Sequence, residues 1–402
     1  MEVWRKNLYW LVGIQVLAGT AILGVISFVP LFVHELGVDD PGAAGLWSGL
    51  ITGVTSFTAA LANPYWGEYG DRKGHKRVLL QILFALTLVM MIMSLVRTPL
   101  ELFVLRGIQG MVGGFIAAGM AMVVIQTPKE YSTSALGTYQ MGIVLGATLG
   151  PMVGGAAADI IGYRATFIFF GLLTLMGGFL ANRYIYEDFE PKPQKQKESM
   201  WSNLKLFLSI PLVRLMMGIQ FFVSFALMGI GPILPIYIKM MVGNTTTLAT
   251  VSGIILAVGG FSSALSAMNM GRITQWLSHR HILLMGTFLA GLFFIAQFFA
   301  PNIWVLGLFR ALNGFCVGTL MPSANTLIAT NVPENKRGIA FGVTSSASLM
   351  GNVVGPIVSG VLALSFGLGS VFWSTAVIFF FITALVYVRL PISASQPQVR
   401  KI

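Results

Sequence analysis

Four histidines, His34, His75, His279 and His281, and one cysteine, Cys316, are too few and too scattered for a metal centre or a hydrolytic constellation. All four histidines stand at the ends of apolar runs or between them, so enzyme chemistry is not expected. His34 reads as a wetted interfacial side chain and Cys316 as a small packing residue. None of the 14 acids falls unambiguously in the middle of an apolar run. The carboxylates best placed to carry a proton are Glu35, just past the first run, and Asp159, at the end of the fifth. Partial desolvation favours the neutral form of a carboxyl group, and each could be exposed alternately. Arg106 and Arg310 lie inside runs. A buried arginine in a bilayer helix costs about 2.5–3.5 kcal/mol on insertion scales, so Arg106 should face polar surroundings or else snorkel to the interface. Gln109, three residues on, shares its face.

The elements that must position these residues are membrane helices. The chain is 55% hydrophobic and 10% charged, with a mean hydropathy of +0.80, far from the roughly one quarter charged of soluble proteins. Each crossing takes about 20 mostly apolar residues, because no water is available there to satisfy the backbone. Twelve such runs are expected: 8–33, 44–66, 78–96, 100–126, 135–158 and 163–184, then 212–238, 248–270, 281–299, 303–330, 339–364 and 370–388. If both termini are cytoplasmic, only Arg97, Arg164 and Lys239 of the 25 Lys and Arg fall outside, with Arg106 and Arg310 within spans. That asymmetry is the positive-inside signature. It makes the net charge of +11 a matter of topology and anionic lipid headgroups, not nucleic acid.

The sequence repeats at an offset of about 204 residues. Gly13, Ile14 and Gln15 return as Gly218, Ile219 and Gln220; Gly24 and Pro30 return as Gly229 and Pro235; Arg106 returns as Arg310. Gly146, Gly150, Pro151 and Gly155 return as Gly351, Gly355, Pro356 and Gly360. The expected organisation is an N-terminal six-helix bundle (1–186), a cytoplasmic linker (187–210) rich in Lys, Glu and Pro, and a C-terminal six-helix bundle (211–402). Parallel repeats of this kind place a substrate site near the midplane between the halves. The helices that would line it supply Gln15, Gln109, Gln220, Arg310, Asn313 and Asn325.

Three motifs carry a family resemblance. After the second run, G-E-Y-G-D-R-K-G-H-K-R spans Gly67 to Arg77, with Gly70 and Gly74 suited to a tight loop and Asp71, Arg72, Lys76 and Arg77 to an ion-pair network. It resembles the signature loop between helices 2 and 3 of the major facilitator superfamily. In the second half Gln275 stands where Asp71 maps, so the motif is degenerate there. L-F-V-L-R-G-I-Q-G from Leu102 resembles the family's helix-4 motif. Gly142, Gly146, Gly150, Pro151, Gly154 and Gly155 resemble the antiporter motif of its exporters; glycines four apart line one helix face and Pro151 bends it.

Essentially the whole chain resembles the twelve-span drug:proton antiporters of that superfamily. The resemblance implies an all-α major facilitator fold and a bacterial cytoplasmic-membrane protein acting as a monomer. It assigns gating to Asp71, which in the family faces the start of helix 11, and proton coupling to Arg106. The helix-5 glycines would pack against the other half and bear on leakage. The implied activity is export of lipophilic, often cationic, drugs by proton exchange. Abundant Met and Phe, 21 and 29, would give adaptable apolar surfaces. The proton gradient supplies the energy and no cofactor is expected; no G-x-x-x-x-G-K-[ST] loop occurs. The alternatives are an exporter of a sugar or other polar metabolite and a ligand sensor that does not transport.

Overall fold

The computed structural model describes residues 2–188, 210–243, 245–332 and 337–390; among them all regular structure is helical. The first half forms α1 (Val3–Gly24), α2 (Val29–Glu35), α3 (Pro41–Lys73), α4 (His75–Met93), α5 (Pro99–Met111), α6 (Phe115–Gln126), α7 (Ser132–Ile161) and α8 (Tyr163–Tyr184). The second forms α9 (Pro211–Ile230), α10 (Leu234–Val242), α11 (Leu248–Met268), α12 (Met270–Trp276), α13 (His279–Phe298), α14 (Ile303–Gly318), α15 (Leu320–Asn331), α16 (Arg337–Phe366) and α17 (Gly369–Arg389). Joined across short breaks, they supply, among the described residues, the twelve expected helices long and apolar enough to cross a membrane.

Breaks fall at matching places in the two halves. The fourth span is interrupted between α5 and α6 at Val112–Gly114 and the tenth at Thr319, between α14 and α15. Pro151 lies inside α7 and Pro356 inside α16.

The residues sort into two compact units. One holds the chain to Gln194 together with Leu234–Ala257; the other holds Lys195–Ile233 and Val258–Ile402. The core of the first unit gathers Leu11, Ile14, Ile82, Leu83, Phe115 and Tyr139, each at most 2% exposed. Within it the Thr87 and Thr174 hydroxyls meet at 3.0 Å between α4 and α8. The second unit repeats the device between α13 and α17, where Thr287 meets Thr383 at 2.8 Å. Each hydroxyl also reaches back to a carbonyl of its own helix, so the pair is satisfied without water.

Two differences from expectation bear on the candidate site. The second span runs on to Lys73, seven residues beyond Trp66, so most of the motif expected to form a loop is helix. Only Gly74, at φ +93°, makes the turn into α4, a backbone region that a side chain disfavours. Most of the expected linker lies outside the described residues, but Glu187 at its start is fixed. Its carboxylate accepts the backbone N–H of His75 at 2.9 Å and of Lys76 at 2.7 Å, capping the start of α4.

Candidate functional site

The glycine run of α7 is a seam against α1. A Cβ at Gly146 would come within 3.1 Å of Gly19 Cα, and one at Gly150 within 3.0 Å of Gly24 N and 3.1 Å of Thr20 O. Gly142 lies as close to Val12, and Gly154 abuts Gly24. Main chain therefore meets main chain from Gly142 to Gly154, which only a side chain of one hydrogen permits. In the second unit Gly351 and Gly355 of α16 meet the backbone of Phe221 and Phe225 in α9, as the repeat requires. The resemblance implied that the run packs against the other half; Gly142, Gly146, Gly150 and Gly154 instead face α1 of their own half, and Gly155 is the member of the run that meets a helix of the second half, α11.

Gly155 is turned elsewhere. It abuts the carbonyl of Ala249, and Gly253 abuts that of Pro151, so α7 and the start of α11 touch through backbone within the first unit. One turn beyond Gly155, Asp159 accepts the N–H of Ala249 at 3.1 Å and of Thr250 at 2.6 Å. These are two of the otherwise orphaned donors in the first turn of α11, where a helix favours negative charge. Asp159 is half-buried and doubly bonded. Glu35, the other carboxylate expected to be desolvated, is exposed because it is the last residue of α2. That expectation is corrected.

The two intrahelical arginines are both buried. Arg106 is 3% exposed and donates from Nη1 to Gln109 Oε1 at 2.7 Å, while its Nε has no partner. This excludes the snorkelling anchor and puts the two side chains together on one helix face. Arg310 lies in the second unit with Nε and Nη1 both unpartnered. Among the described residues no carboxylate lies within ion-pair distance of either guanidinium.

The amides divide by role. Gln15 accepts the Tyr139 hydroxyl at 2.7 Å, linking α1 to α7, and Tyr139 lies against Gly119, where no side chain would fit. Gln220 donates to Asn325 Oδ1 at 3.0 Å and accepts from the Ser348 hydroxyl at 3.4 Å. Asn325 is exposed, whereas Asn313 is buried and donates to the Ala290 carbonyl at 3.1 Å, a packing contact.

At the expected gate, Arg72 pairs with Glu68 at 2.6 Å, and Asp71 lies 3.4 Å from His75 Nε2 without hydrogen-bond geometry. Both pairs are four apart in sequence. The Asp71 side chain is 72% exposed. Lys76 donates to the Asn182 carbonyl at 3.0 Å, Arg77 and Gly67 are accessible, and Gly70 stands where a Cβ would come 2.5 Å from the ring of His75.

Sequence reasoning missed Glu187, placed in a flexible linker, and the clasp beside it. There Asn7 donates to Gln126 Oε1 at 2.7 Å and to the Tyr186 carbonyl at 2.6 Å. It missed the paired threonines too. Their partners lie 87 to 179 residues away, and nothing local marks them.

Comparison with known proteins agrees with this architecture. Residues 10–277 and 216–401 match the profile of the Major Facilitator Superfamily. The chain is 33% identical over 380 residues to the multidrug resistance protein MdtG of Enterobacter lignolyticus, covering 94% of this chain and 90% of that one. To MdtG of Salmonella typhi it is 34% identical over 381 residues, covering 93% and 92%. Among solved structures, a bacterial homologue of the human lysosomal transporter Spinster, inward-facing and unoccupied, superposes with a TM-score of 0.76 at 16% identity, covering 99% of both chains. The nucleoside transporter NupG superposes at 0.76 and 12% identity, covering 97% of this chain and 100% of that one. These two likenesses concern the fold.

Proposed function

This chain belongs to the Major Facilitator Superfamily, and from that premise we propose that it exports lipophilic drugs from the bacterial cytoplasm in exchange for protons. The carrying observation is similarity to relatives named multidrug resistance proteins over at least nine tenths of both chains. The glycine seam and the buried Arg106 and Gln109 are what an exporter of this kind would use. Both termini lie in the cytoplasm under this reading, as the distribution of Lys and Arg favours. The chain is a carrier without catalytic chemistry or cofactor, working as a monomer and contacting anionic lipid at its basic inner face.

Mechanistically, the repeat supplies two bundles for alternating access, with polar residues of the spans facing the passenger. One proton moving inward gains about 2.3 kcal/mol per 100 mV of membrane potential and about 1.4 kcal/mol per pH unit. That suffices to move a neutral or monocationic drug outward against a tenfold gradient or more. Asp159 is the carboxylate whose environment best couples a charge to helix contact, since neutralising it weakens its hold on α11. Arg106, unpaired by any acid, disfavours a second positive charge near it and so separates the proton from a cationic passenger. Asp71 and the cations around it form the gate at the opposite end of the first half.

The test is transport of a dye panel, ethidium and Hoechst 33342 among them, in inverted vesicles with an imposed pH gradient. Accumulation that collapses with a protonophore is expected. Its absence, with sugar exchange present instead, would select the polar-metabolite reading; saturable binding without flux would select a sensor.

A further inference from the structure

Arg310 stands in a half of the chain with almost no negative charge. After Glu198 the only acid is Glu334, so no Asp or Glu occurs in any of the last six spans. Arg310 is nevertheless buried, 9% exposed, with Nε and Nη1 lacking any partner among the described residues. Its stem lies over Gly259 of α11, where a Cβ would come within 3.0 Å of Nε and 3.2 Å of Cγ. Gly314, one turn further along α14, abuts the Gly259 carbonyl. Gly259 thus leaves room for the guanidinium stem, Gly314 lets α14 and α11 approach there, and the described residues of the unit give the guanidinium nothing to bind. A buried cation is retained where something compensates it, and planar N–H donors suit a carboxylate or sulfonate.

We propose that Arg310 binds the anionic group of a transported amphiphile, so that the substrates of this carrier include lipophilic carboxylates and sulfonates. The inference rests on the exporter reading and narrows it: the last six spans offer a cationic drug no carboxylate and an anionic one a free guanidinium. Arg106 differs in having Gln109 as a partner.

Three probes sharing one fluorophore isolate the charge: dansylglycine (carboxylate), dansylamide (neutral) and dansylcadaverine (ammonium). Binding to the purified full chain is measured in phosphatidylcholine vesicles, with and without phosphatidylglycerol, and flux is followed in the same vesicles under a pH gradient. Wild type should bind dansylglycine about tenfold or more tighter than dansylamide, the scale of a charge-assisted hydrogen bond. Arg310→Gln should abolish that preference, bringing dansylglycine binding to the dansylamide level, and Arg310→Lys should keep part of it. Should Arg310→Gln fail to fold, Gly259→Ala, which presses a methyl onto the guanidinium stem, should weaken dansylglycine binding selectively. A wild type without the preference, or an Arg310→Gln protein that retains it, overturns the proposal. So does loss of the preference when phosphatidylglycerol is added, which assigns the guanidinium to a lipid headgroup. Anion-selective binding with no flux of any probe would overturn the exporter reading and leave the anion site standing.

Discussion

Replacing Asp159 tests whether a carboxylate on α7 holds the start of α11. The two accepted N–H groups, at 3.1 and 2.6 Å, occupy the first turn of α11. Truncating a helix-capping side chain costs about 0.5–2 kcal/mol, and a charge at a partly buried helix start contributes up to about 2 kcal/mol. For Asp159→Ala a loss of about 1–3 kcal/mol follows, about five- to 150-fold in the equilibrium between capped and released α11. Asp159→Asn keeps one acceptor oxygen and should fall between. The readout uses Ser252→Cys, a fully buried position on α11, in a Cys316→Ala background; Cys316 is the sole cysteine. The rate of maleimide labelling should rise from Asp159 to Asn to Ala in proportion to the released population. Equal rates in all three proteins would refute the cap as a determinant of that equilibrium.

Gly150→Leu should separate α1 from α7, because its side chain would start 3.0 Å from Gly24 N; lower thermal stability and loss of export are expected, and normal values of both would contradict the seam. Arg106→Gln should leave dye binding intact and uncouple it from the proton gradient, read as a protonophore-insensitive residual flux. Asp71→Asn should change thermal stability by less than about 0.5 kcal/mol, as befits an exposed pair, while reducing turnover; wild-type turnover would mark the segment as a topology signal alone.

Features repeated along one helix were legible in the sequence. Spans show as apolar runs, the seam as glycines four apart, and Arg106 with Gln109 as a shared face. Contacts made by polar residues of ordinary appearance were not. Thr87 and Thr174, or Tyr139 and Gln15, look like any hydroxyl or amide in an apolar helix until folding brings them together. Glu187 read as solvated because Lys, Glu and Pro surround it, yet the free N–H groups of His75 and Lys76 capture it. Glu35 read as desolvated by its closeness to the first span, but its place at the last residue of α2 turns it to solvent. The second span outran its apolar stretch because helix formation tolerates Glu68, Asp71, Arg72 and Lys73 until Gly74 supplies the reversal.

The α1–α7 seam also has an evolutionary consequence. Its spacing is set by main chain, so the distance between these helices is independent of which side chains surround the glycine column. One residue away along α7, turned by about 100°, Met141, Leu145 and Leu149 form an exposed column that Met152 continues. Mutation can vary that column while the glycines hold the helices in register, so change on the exposed face of α7 leaves the approach of the two helices untouched.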